Sequence, residues 1–225
     1  MEPKNHLILL DTIGQMLRGI LSDSVSVFTI MNPLSVGVIM LSLLEENSGE
    51  AEVRSVAWRS TKALTVAMLV VFFAGTYLFN FFGIDPNAIK VFGGIILIIM
   101  GYNMIQGYGK RVNHSPKEQL AAMEREDIAI VPLAIPIAMG AGLATTLISI
   151  SVEADGWMDY LSASLAIFLC SVAYWQILRN MPYIKRALGY NGLRIFNRIM
   201  GLVVGSLAAQ MIVNGVVSLY QINFS

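Results

Sequence analysis

Six charge-free apolar runs divide the chain, at 24–44, 63–84, 91–108, 128–152, 160–178 and 199–220. Each is close to the roughly 20 residues that a helix needs to cross a bilayer. The pattern therefore predicts an all-α polytopic membrane protein with six transmembrane helices. Ahead of the first run, Leu10, Ile13, Leu17, Ile20 and Leu21 recur at helical spacing, with Asp11, Gln15, Arg18 and Ser22 on the opposite face. That periodicity predicts an interfacial helix from Leu7 to Leu21. The expected organisation is an N-terminal interfacial segment 1–22, a first three-span unit 23–108, a linker 109–127 and a second three-span unit 128–225, all within one membrane domain.

Two of the six runs carry helix-breaking residues near their middles. The first is centred on Leu34, inside Asn32-Pro33-Leu34-Ser35, and the fourth on Gly140, inside Pro136-Ile137-Ala138-Met139-Gly140-Ala141-Gly142. Proline has no amide proton, so Pro33 should free the carbonyl of Thr29, and a freed polar group in hydrocarbon requires another partner. Asn32 suits an N-cap and Pro33 a first helical position, which predicts a new helix with unpaired amides at Leu34, Ser35 and Val36. In the fourth run, Met139-Gly140-Ala141-Gly142 allows the backbone to unwind, and a helix restarting near Leu143 would hold Thr145 and Thr146 in its first turn. The first and fourth spans are thus expected to be discontinuous at mid-membrane. Paired interruptions of this kind mark transport sites.

Charge sets the expected orientation. Lys and Arg number 2 before the first span and then 3, 1, 4, 0, 5 and 0 in the successive connections, so 12 of the 15 fall on one side. By the positive-inside rule the connections 45–62, 109–127 and 179–198 are cytoplasmic, and both termini face out. Three spans per half oblige the second half to start from the opposite face, so a repeat would be inverted. A shift of 107 residues places Gly94 on Gly201, Asn103-Met104-Ile105 on Gln210-Met211-Ile212, and Pro33 on Gly140.

Composition narrows the chemistry. Zero net charge provides no basic face for nucleic acid. A single cysteine, Cys170, excludes an internal disulfide, and His6 and His114 both lie outside the spans. Neither a metal centre nor another cofactor is expected, and no nucleophile with a nearby base points to an enzyme. Gly93, Gly94, Gly101, Gly201 and Gly205 read as close helix packing. Asn103 and Gln210 are isolated polar residues that either bond between helices or line a pathway.

None of the runs contains Lys or Arg, so an anion would be held by backbone amides and hydroxyls. The expected partner, besides the lipid bilayer, is a small zwitterion. Its carboxylate would meet the helix starts after Pro33 and Gly142, and its ammonium the Thr29 carbonyl, the Asn32 side chain, or the hydroxyl of Ser35 or Thr145. A coupling ion, proton or sodium, leaves no mark in the spans. A membrane scaffold without a solute path and a passive channel are the competing classes.

These residues resemble the MarC family of integral membrane proteins, which includes SnatA-type neutral amino acid transporters. The resemblance rests on Asn32-Pro33-Leu34, on Phe92-Gly93-Gly94-Ile95-Ile96-Leu97, and on Pro132-Leu133-Ala134-Ile135-Pro136 followed by Gly142-Leu143-Ala144-Thr145-Thr146. It departs at Ser35, where the family usually has glycine, and at Ala141, where it usually has proline. The resemblance implies two inverted three-span halves, a distant similarity to LysE-type exporters, and carriage of small neutral amino acids such as glycine and alanine across a prokaryotic cell membrane.

Overall fold

The computed structural model describes residues 3–44, 48–106 and 128–224, and among them every regular element is helical. In chain order these are α1 (Pro3–Met31), α2 (Pro33–Leu43), α3 (Glu50–Phe81), α4 (Pro86–Gln106), a π-helical segment (Ala129–Ala138), α5 (Ala141–Glu153), α6 (Trp157–Arg179) and α7 (Met181–Phe224). The linker 109–127 lies outside the described residues.

Among the described residues, five stretches are long and apolar enough to cross a membrane: Thr12–Leu43, Glu50–Gly75, Pro86–Gln106, Trp157–Arg179 and Met181–Ile222. α5 is a shorter apolar helix. The large residues Val66, Val70, Phe92, Ile99, Phe168, Leu202 and Val213 point outward from these helices. Water would not tolerate so continuous an apolar exterior, whereas lipid does. The chain is a polytopic membrane protein.

α1 runs unbroken from Pro3 to Met31. The expected boundary at 22–23, between an interfacial helix and the first span, is therefore not a change of backbone geometry. The apolar face opposite those polar residues, through Ile13 and Ile20, continues directly into Val27 and Met31, both buried.

Local chemistry explains the other helix ends. Asp85 stands before Pro86, and its Oδ1 accepts the Asn87 amide at 2.7 Å while its carbonyl accepts the Ala88 amide at 3.0 Å. This is an aspartate cap followed by proline at the first helical position, which starts α4. α7 bends at Gly189, which adopts φ 62° and ψ 179°. A side chain is strained at such an angle, so glycine is required there.

α4 and α7 pack through glycines. A Cβ added to Gly94 would lie 2.5 Å from Ile212 Cγ1 and 2.9 Å from the Ala208 carbonyl; one on Gly201 would lie 2.8 Å from the Gly101 carbonyl and 3.0 Å from the Ile105 amide. At the far end, a Cβ on Gly215 would meet the Asn87 carbonyl at 2.8 Å. The pairing of early α4 with late α7, and the reverse, makes the two helices antiparallel. The contacts are also reciprocal under an offset of 107 residues, since Gly94 with Ala208 and Ile212 corresponds to Gly201 with Gly101 and Ile105. Gly94, Gly101 and Gly201 are packing positions as read, because without side chains the backbones approach closely enough for dispersion to hold them in lipid, whereas Gly205 has open space where a side chain would stand.

Candidate functional site

The turn between α1 and α2 is one residue long. Asn32 adopts φ 45° and ψ 64°, and among the described residues no other non-glycine has a positive φ. Pro33 is the cause, because its ring clashes with a preceding residue in right-handed helical geometry. The left-handed alternative costs most residues about 1–2 kcal/mol, and asparagine is among the few that visit it routinely.

The backbone at this turn is better satisfied than expected. The Asn32 carbonyl accepts the amides of Ser35 at 3.1 Å and Val36 at 3.3 Å, so two of the three amides expected to be unpaired are occupied. Nor does the Asn32 side chain cap the helix. Its Nδ2 donates to Ser35 Oγ at 2.7 Å and to Asn197 Oδ1 at 2.8 Å, and Ser35 Oγ donates to the same Asn197 oxygen at 2.6 Å. Both Nδ2 protons are thereby used. Asn32 Oδ1 is left buried without a partner, on a residue only 5% exposed. Such an orphaned acceptor costs about 1–3 kcal/mol unless something donates to it.

The second turn lies at Met139–Gly140. In the preceding π segment the amide of Leu133 donates to Ile128 at 3.3 Å and that of Met139 to Ala134 at 3.0 Å, both spanning five residues. Proline at 132 and 136 supplies no amide, which disfavours the regular four-residue ladder and suits a widened turn. Gly140 is extended, at φ −53° and ψ 166°, and α5 starts at Ala141 with no side-chain cap. The Gly140 carbonyl accepts the Ala144 amide at 3.1 Å. The amides of Ala141, Gly142 and Leu143 form the first turn and have no acceptor within their own helix.

One cavity joins the two turns. Its volume is about 280 Å³, and its lining includes Asn32, Ser35, Gly140, Ala141, Gly142 and Leu143. Ile30, Ile39, Ile96, Met100 and Ile137 are among its apolar walls. Its lining thus includes Asn32, whose Oδ1 has no partner, and the first residues of α5, where the helix start is partially positive. A Cβ at Gly142 would lie 2.7 Å from Leu97 Cδ2, so a larger residue there would have to displace the Leu97 side chain.

The remaining expected residues are placed elsewhere. Thr29 is buried, but neither it nor Pro33, Leu34 or Met139 lines the cavity. α5 begins two residues earlier than expected, which moves Thr145 and Thr146 to its second turn. Thr145 Oγ1 donates to the Ala141 and Gly142 carbonyls and Thr146 Oγ1 to that of Gly142, so both hydroxyl protons are turned back onto the helix. Thr145 also packs against Gly93. Asn103 is exposed, and Gln210 lines a different cavity together with Thr146. Asn197 was not anticipated, because it sits between Arg194 and Arg198 in a basic connection. A helical signal was nonetheless available, since Leu193, Asn197, Gly201, Val204 and Ala208 recur at spacings of three and four.

Among the described residues no group of His, Cys, Asp and Glu is arranged to hold a metal ion. The fold and this cavity define a helical integral membrane protein with a small, mostly apolar pocket between its two helix turns. The chain belongs to the MarC family of integral membrane proteins, whose pattern matches residues 17–220. A UPF0056 membrane protein of Methanocaldococcus jannaschii is 34% identical over 193 residues, covering 85% of this chain and 92% of the relative. One from Buchnera aphidicola subsp. Schizaphis graminum is 31% identical over 196 residues, covering 87% and 90%. The UPF0056 inner membrane protein MarC of Citrobacter koseri is 30% identical over 199 residues, covering 84% and 89%. No solved structure matches.

Proposed function

We propose that the protein is a secondary transporter of small neutral amino acids such as glycine and alanine, bound between the two turns. The observation that carries this reading is one cavity lined both by Asn32, which carries an unpartnered acceptor, and by the start of α5. The substrate ammonium donates to the orphaned Asn32 Oδ1, and the carboxylate accepts from the first amides of α5. The carboxylate has one helix start to go to rather than two, because Ser35 and Val36 already donate to the Asn32 carbonyl.

Size supports a small substrate. A chamber of about 280 Å³ falls below the roughly 300–1,000 Å³ of sites for drug-sized ligands. Room between the turns also favours transport over a scaffold, for which the space would be filled by side chains.

In this reading the first and fourth of six spans are discontinuous at mid-bilayer, formed by α1 with α2 and by the π segment with α5. The reciprocal glycine contacts of α4 and α7 support two inverted three-span halves, and alternating access proceeds by one half rocking on the other. The excess of Lys and Arg in alternate connections supports termini that face out of the cell. The Citrobacter relative's description as an inner membrane protein supports the same location here.

The test is transport by the purified protein in liposomes against a panel of amino acids, with and without proton and sodium gradients. Saturable flux restricted to small neutral members is expected. Absence of flux for every amino acid would reject the proposal, and flux that never saturates would favour a passive channel.

A further inference from the structure

A second cavity, of about 190 Å³, lies further along α1 and α5. Its lining is far more polar than that of the first, with Asp23, Ser26, Lys90, Ser149, Glu153 and Asn214 among its residues. Lys90, whose side chain is only 14% exposed, pairs with Glu153 at 2.8 Å. With Asp23 contributed by α1, the lining holds two carboxylates and one ammonium, an arrangement suited to a small zwitterion approaching ammonium first.

Ile30 alone among the described residues lines both cavities. On α1 the polar cavity takes Ser22, Asp23 and Ser26, and the apolar one takes Met31 and Asn32. On α5 the polar cavity takes Thr146, Ser149 and Glu153, and the apolar one takes Gly142 and Leu143. The two spaces are therefore stacked along the same pair of helices, with the buried Ile30 side chain between them. A Cβ at Gly142 would lie 3.7 Å from Ile30 Cγ2, an ordinary contact distance, so Ile30 faces α5 at Gly142.

We infer that the polar cavity is an antechamber for a small zwitterion, and that the Ile30 side chain is the septum separating it from the inner chamber. The inference rests on the transport reading for the identity of the solute, but the barrier itself does not. An isoleucine between two water-accessible spaces excludes ions by refusing them hydration, which is how apolar constrictions gate channels. Passage requires only that α1 and α5 separate enough at Ile30 and Gly142 to wet that point.

The experiment uses full-length protein carrying Cys170→Ser, reconstituted in vesicles, with a single cysteine introduced as Asn214→Cys or Ala141→Cys. A membrane-impermeant thiol reagent is applied from the Asp23 side. With Ile30 present, Asn214→Cys is expected to react quickly and Ala141→Cys slowly. Ile30→Ala should raise the rate at Ala141→Cys by about tenfold or more, and Ile30→Phe should not. Fast labelling of Ala141→Cys from that side with isoleucine in place, or a rate indifferent to Ile30→Ala, would overturn the inference. Glycine exchange is measured on the same vesicles. Expected is exchange that Ile30→Phe blocks; labelling that obeys residue 30 without glycine exchange in any form would uphold the septum and overturn the transport reading.

Discussion

Nδ2 of Asn32 donates to Oδ1 of Asn197 across 2.8 Å, joining the turn between α1 and α2 to a helix 165 residues further along the chain. The same oxygen receives the Ser35 hydroxyl, so one acceptor orients both polar side chains of the turn. Asn197→Ala would leave those donors short of an acceptor, at about 1–3 kcal/mol for a buried group. A lower midpoint of thermal unfolding in detergent and weaker glycine binding are expected. Asn197→Asp keeps the acceptor and should retain more of both.

Gly142 tests the fit of the inner chamber. A methyl group there would lie 2.7 Å from Leu97 Cδ2, and overpacking of this kind typically costs about 1–3 kcal/mol. Gly142→Ala should reduce glycine transport by crowding the start of α5. Adding Leu97→Ala to the same chain makes room for the methyl group, and partial recovery of the rate would separate a local clash from general unfolding.

Ala141 stands at the first position of α5, and Gly140 before it already has the extended angles that a residue preceding proline prefers. Ala141→Pro should therefore fold without strain and stabilise the protein by about 0.4–1 kcal/mol through the unfolded chain. Transport should persist, since the amides of Gly142 and Leu143 remain. Thermal unfolding and glycine flux of the variant check the two halves of this expectation.

The glycines between α4 and α7 are expected to act on stability. A Cβ on Gly101 would meet the Gly201 carbonyl at 2.8 Å and the Gly205 amide at 2.9 Å, whereas one on Gly205 would meet nothing within 4 Å. Gly101→Ala should destabilise the pair, because backbone cannot yield as a side chain does. Gly205→Ala should be neutral or gain up to about 1 kcal/mol from the better helix former. Similar unfolding midpoints for the two variants would contradict the close approach of these helices.

What could be read from the chain was covalent in origin. Pro33 disfavours right-handed helix at Asn32 through the sterics of its own ring, and glycine spacing marks where helices touch, so the turn and the packing seam were both legible. Interactions between distant segments were not. Asn197 carries no sign that it meets Asn32, and only the extension of α7's buried stripe through the basic connection points to it. Nor does spacing reveal that Thr145 and Thr146 spend their protons on their own helix, because that depends on whether α5 starts at 141 or 143.

Equilibrium binding of radiolabelled glycine to the purified protein, in wild type and Asn32→Ala, tests the central claim most directly. A chamber that grips a zwitterion between Asn32 Oδ1 and the start of α5 predicts saturable binding at about one site per chain, weakened roughly tenfold or more when the buried acceptor is removed. Absence of saturable binding in the wild type, or equal affinity in the two proteins, would contradict it.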